Sequence, residues 1–145
     1  MKYYVVRHTN NIPAWAAATS RLFLISIRKG KEGDIGILEH EKTHVRQWWK
    51  FFIPLSLVGW LLLYFASGTT AGFSASLVVI GLAPSLHALL YKTTRRYRLW
   101  SEVEAYRAQI RHGGRTQAAV KGIMNPEYRF NLTEQDAKEL LGVTV

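Results

Sequence analysis

The sequence predicts a mostly α-helical protein with a small N-terminal β element, on three observations. Two apolar stretches of helical length, Phe51–Ser67 and Phe73–Tyr91, flank a Gly- and Thr-rich break at residues 68–72. The strand-like runs, Tyr3–Val6 and Leu22–Ile27, both fall near the start of the chain. Between strands and apolar stretches lies a segment, Ile37–Trp49, with no Gly or Pro inside it, which reads as a helix. At 145 residues the chain is one domain's worth of protein and long enough to bury a core. Residues 1–145 therefore read as a single domain in three parts: strands and a helix in 1–50, an apolar helical hairpin in 51–91, and two more helices in 92–145.

In chain order, Tyr3–Val6 is β-branched and aromatic, as is Leu22–Ile27. The Ala-rich segment Ala14–Ser20 between them predicts a short helix. Arg28–Gly36 is glycine-rich and charged, which predicts a turn. Phe51–Ser67 spans about 25 Å as a helix, slightly short of the ~30 Å bilayer core. Trp48 and Trp49 before it, and Tyr91 at the end of the second stretch, suit an interfacial aromatic belt. A helix from Leu99 to about Arg111 ends at Gly113-Gly114, and Thr133-Glu134-Gln135-Asp136 is an N-cap signal for a last helix to Leu141.

The charge pattern separates classes of function. Lys and Arg exceed acids by nine, yet residues 51–91 carry no formal charge at all. Two basic blocks around an uncharged, oily middle fit a lipid bilayer and give no groove for nucleic acid. The hairpin shows no charged solvent-facing stripe, which favours a membrane span over a buried soluble hairpin. Lys42, Arg46 and Lys50 precede it and Lys92, Arg95, Arg96 and Arg98 follow it, so both flanks, and with them both termini, belong on the cytoplasmic side. The alternative is a soluble cytoplasmic protein. Met1–Arg7 has no apolar run of the kind a cleaved leader carries. With no cysteine, thiolate metal sites, clusters and disulfides are excluded.

His40-Glu41-Lys42-Thr43-His44 matches H-E-x-x-H. Four helical residues put both imidazoles on one face, a turn apart, where they chelate one ion. Zinc brings a water's pKa to roughly 7, and a carboxylate at the position of Glu41 then serves as general base.

With these residues in its active-site helix, the chain resembles the gluzincins, zinc peptidases whose third ligand is a glutamate on a later helix, commonly in an E-x-x-A-D motif. Glu102-Val103-Glu104-Ala105-Tyr106 matches its glutamate and alanine and replaces its aspartate with Tyr106. The resemblance implies a Zn²⁺ ion held by His40, His44 and Glu102, with Glu104 as the alternative ligand. It further implies that Tyr106 stands where the family aspartate orients a ligand histidine.

The order of parts is similar to the membrane proteases related to the heat-shock protease HtpX and the CAAX prenyl proteases, over about residues 22–112. The expected architecture is thus a minimal gluzincin-like pair of active-site helices joined by an apolar, transmembrane hairpin. The expected activity is zinc-dependent peptide hydrolysis. His112, Tyr106 and Tyr97 are the candidates for stabilising the oxyanion. An extended substrate is expected to pair with Leu22–Ile27 as an edge strand. The competing reading is a small membrane adaptor with a structural or vestigial zinc site. His87, in the second apolar stretch, is expected to pack between helices and not to bind metal.

Overall fold

Three short strands, β1 (Val5–His8), β2 (Ala18–Arg21) and β3 (Leu24–Ile27), open the chain in a computed structural model that describes residues 3–143. The start of the Met1–Arg7 segment lies outside the described residues. β3 is central, parallel to β1 (Val5 opposite Leu24) and antiparallel to β2 (Arg21 opposite Leu24). Its Ile25 and Ile27 are buried, which anchors the register, because a slip of one residue would turn both outward. Leu22 and Phe23 make the tight turn into β3, with Leu22 in the left-handed region at φ 57°.

Three expectations change here. Ala14–Ser20 is not a helix: its second half is β2, and the Arg28 guanidinium takes the carbonyls of Pro13, Ala14 and Ala16. Acceptors that a helix would have used are thereby claimed by a side chain, and alanine's helix propensity loses to that tertiary bond. The Leu22–Ile27 strand begins at Leu24 and is paired on both sides, so it is no edge for a substrate; the edges are β1 and β2. β1 itself starts two residues later than Tyr3.

Asp34 starts the first helix: its carboxylate accepts from the Ile37 N–H at 2.9 Å and its carbonyl from the Leu38 N–H. That helix, α1 (Ile35–Ala66), then runs unbroken for 32 residues through Pro54. The separate segments expected at 37–49 and 51–67 are one element. Proline leaves one carbonyl of the ladder without its usual N–H, and a helix this long tolerates the loss. The second apolar stretch divides instead, into α2 (Thr70–Leu82) and α3 (Leu86–Thr93), bent by 66°. Pro84 sits in the break, and the Trp48 indole donates to its carbonyl at 2.9 Å. Thr69 caps α2 through the Gly72 N–H.

Three helices complete the fold: α4 (Arg95–Arg111), α5 (Thr116–Ile123) and α6 (Glu134–Leu141). α4 starts four residues before Leu99, and α5 carries no strong sequence signal of its own. α6 begins at Thr133 with a reciprocal bond between Thr133 and Asp136, as the N-cap signal predicts.

The protein is mostly helical with a small sheet near its N-terminus. It divides into two compact units, Met1–Val45 with Arg95–Val145, and Arg46–Thr94. In the first, α4, α5 and α6 enclose a core of Val103, Tyr106, Val120, Ile123, Phe130 and Leu141. The second is the apolar hairpin. Among the described residues α1 is long and apolar enough to cross a membrane, and α2 with α3 qualifies only as one bent span.

Candidate metal centre

His40 and His44 lie on one face of α1 and Glu102 on α4, and the fold brings their ligating atoms together. The two Nε2 atoms are 3.3 Å apart. Glu102 straddles them, with one carboxylate oxygen 3.4 Å from His44 Nε2 and the other 3.5 Å from His40 Nε2. A tetrahedron whose centre lies about 2.0–2.1 Å from each corner has an edge of about 3.3–3.4 Å, so the spacing is that of a small metal ion's ligand shell. His40 is 7% exposed and Glu102 1%, so the set is withdrawn from water. These three side chains form a buried cluster suited to a metal ion, and no fourth His, Asp or Glu joins it among the described residues.

The electrostatics agree with the geometry. Burial raises the pKa of the Glu102 carboxyl, but the His44 charge and hydrogen bonds from His40 and His44 outweigh it and hold the group well below the usual carboxylate range. Glu102 is an anion facing two imidazoles, the ionisation state a cation needs. His44 Nδ1 lies 3.2 Å from Ser101 Oγ. In the tautomer that turns the Nε2 lone pair toward Glu102, Nδ1–H donates to that hydroxyl and fixes the ring.

Tyr106 lies against the cluster on its His40 side. Its ring, not its hydroxyl, meets His40, edge to face with centroids 4.4 Å apart. The hydroxyl shares a hydrogen bond with Tyr128. Burial, then the Glu102 charge, raise the Tyr106 pKa, so the phenol keeps its proton. His40 Nδ1, buried, has no hydrogen-bond partner among the described residues, so His40 is oriented by packing where His44 is oriented by a bond.

A cavity of about 230 Å³ opens beside His40 and Glu41, with Trp15, Tyr106, Gln109 and Tyr128 among its walls. Glu41 is 6% exposed and stands in that wall, beside the ligand His40 but not in the ligand group.

The remaining sequence candidates lie elsewhere. Glu104, one residue beyond Val103, is half-buried and outside the cluster; its charge, after burial, helps push the Tyr97 phenol up to about 12. Tyr97 packs against Trp100 and does not line the cavity. His112 is exposed at the end of α4, its Nδ1 2.8 Å from the Ala108 carbonyl. His87 sits in the hairpin between the rings of Phe51 and Tyr91. Of the three proposed oxyanion donors only Tyr106 lines the cavity.

Sequence reasoning missed Ser101, Gln109 and Tyr128. Ser101 had a signal, since it directly precedes the third-ligand candidate on the same helix. Tyr128 had none, because α5 and the short 3₁₀ turn at Pro126–Tyr128 bring it back to α4. No protein-family model, curated protein or solved structure matches the chain.

Proposed function

We propose that the protein is a zinc-dependent metallopeptidase of minimal gluzincin type. The observation that carries this reading is the 3.3–3.5 Å spacing of the His40, His44 and Glu102 ligand atoms, with a non-ligand glutamate beside them in a cavity wall. His40, His44 and Glu102 hold the ion. When bound, zinc supplies Lewis acidity that polarises a carbonyl and eases deprotonation of water. Glu41 takes the proton of the attacking water and returns it to the departing amine. Tyr106 and Tyr128, both lining the cavity, replace Tyr97 and His112 as candidates for the oxyanion. A peptide substrate is supported by the residues leading into β2: Ala16, Ala17 and Ala18 line the same cavity, and β2 is an edge strand with backbone groups for an extended chain.

The proposed location is the membrane, with the basic flanks on the cytoplasmic side. Its support is the uncharged 51–91 segment together with Ile53, Leu57, Val58, Leu61, Phe65 and Leu77, all exposed. The adaptor reading, in its structural-zinc form, asks for a fourth protein ligand closing the metal's coordination, and no further His, Asp or Glu joins the cluster among the described residues. The test is elemental analysis of protein purified without chelator, wild type against His40→Ala, followed by digestion of a mixed peptide library. One zinc per wild-type chain, lost in His40→Ala, with peptide cleavage abolished by chelator, is expected. Wild-type protein that takes up no zinc contradicts the reading.

A further inference from the structure

One wall of the cavity holds an amide side chain that pairs with no described residue. Gln109 on α4 is 9% exposed and lines the cavity. Its carboxamide, with two donors and an acceptor, makes no hydrogen bond among the described residues. Nor is it loosely placed. A Cβ on Gly114 would stand 2.5 Å from Gln109 Cγ and one on Gly36 3.2 Å from it, so two glycines close on its stem. The Gly114 N–H also donates to the Gln109 carbonyl at 2.9 Å. As a lining group, this amide is open to pairing with an occupant that carries matching groups.

The other walls limit what that occupant is. Trp15 and Tyr128 meet edge to face, with centroids 6.1 Å apart, and Ala118 is small. Apart from His40 and Glu41, which the proposed reaction uses, no lining residue carries a charge. Away from Glu41, a charged side chain would lose its water there without gaining a counter-ion. The volume of about 230 Å³ is below the ~300–1,000 Å³ of pockets for whole small molecules and suits one amino-acid side chain.

Resting on the peptidase reading, we infer that this cavity recognises a carboxamide side chain, glutamine or asparagine, next to the scissile bond, with Gln109 as the specificity-determining residue. Two carboxamides pair head to tail through two N–H···O bonds, one in each direction. Methionine, of similar length, leaves Gln109 unpaired.

The test has a cleavage arm and a binding arm, both with zinc-loaded full-length protein and one mixed peptide library. In the cleavage arm, glutamine or asparagine is enriched about tenfold over methionine at one position flanking the cut, a ratio worth one to two hydrogen bonds. In Gln109→Met that preference passes to methionine. In the binding arm, Glu41→Gln protein retains the same glutamine-bearing peptides without cutting them. If the wild type cuts nothing while the binding arm keeps its glutamine preference, the peptidase reading falls and the pocket stands. Absence of the preference in both arms, or its survival in Gln109→Met, overturns the pocket. Should Gln109→Met fail to fold, the isosteric Gln109→Glu carries the same test, with preference moving from glutamine to lysine.

Discussion

Glu102 and Glu104 differ by two positions on α4, about 200° of helical rotation, and that rotation decides which one meets the histidines. Glu102→Ala should therefore lose zinc, while Glu104→Ala keeps most of it; reversed losses, read by elemental analysis, would assign the ligand to Glu104. Ser101→Ala removes the partner of His44 Nδ1 and should weaken zinc affinity about 10-fold or more, measured by competition with a chelator. An unchanged affinity would mean that contacts other than Ser101 orient His44. At this scale the sequence is most informative where one helix supplies the geometry. His40, Glu41 and His44 are legible because helical spacing alone makes them neighbours. Gln109 and Tyr128 are illegible because their place depends on where α4, α5 and the glycines at 36 and 114 meet, which no local pattern encodes.

Elements are legible in proportion to how local their causes are. α6 is readable because its start is written in four consecutive residues, and Thr133→Ala should lower stability by about 1 kcal/mol, seen in denaturant unfolding. No loss would mean that the cap is redundant with packing of Ala137 and Leu141. β2 reads as a helix in the sequence because the Arg28 contacts that unmake a helix there come from 12–15 residues away. The division of the second apolar stretch has a local cause, Pro84, but an identical residue in α1 leaves its helix whole, so proline alone does not decide. At the α4–α5 contact, a Cβ on Gly122 would stand 2.5 Å from the Tyr106 hydroxyl oxygen. Gly122→Ala should destabilise the protein by about 1–3 kcal/mol through overpacking. Because Tyr106 packs on His40, it should also loosen the zinc; stability lost with zinc affinity untouched would separate Tyr106 from the metal centre.

For the whole molecule, the uncharged middle of the chain is plain from the residues alone, while its partition into one long helix and one bent pair is not. The membrane reading predicts that full-length protein floats with liposomes in a density gradient. Leu57 and Val58 are exposed on α1. Replacing both with arginine puts two charges into the span, at about 2.5–3.5 kcal/mol each, and should leave the protein at the bottom of the gradient. Flotation of the doubly substituted protein at the wild-type level would remove the hairpin from the bilayer.

The central claim is that Glu41 is the base beside a metal it does not bind. Glu41→Gln keeps the size of the side chain and removes its ability to take a proton. Zinc content and peptide hydrolysis, measured on the same preparations of wild type and Glu41→Gln, separate the two roles. One zinc per chain is expected in both, with a loss of hydrolysis on the order of 10²–10⁴-fold in the variant. Hydrolysis at the wild-type rate in Glu41→Gln, or loss of its zinc, would contradict the claim.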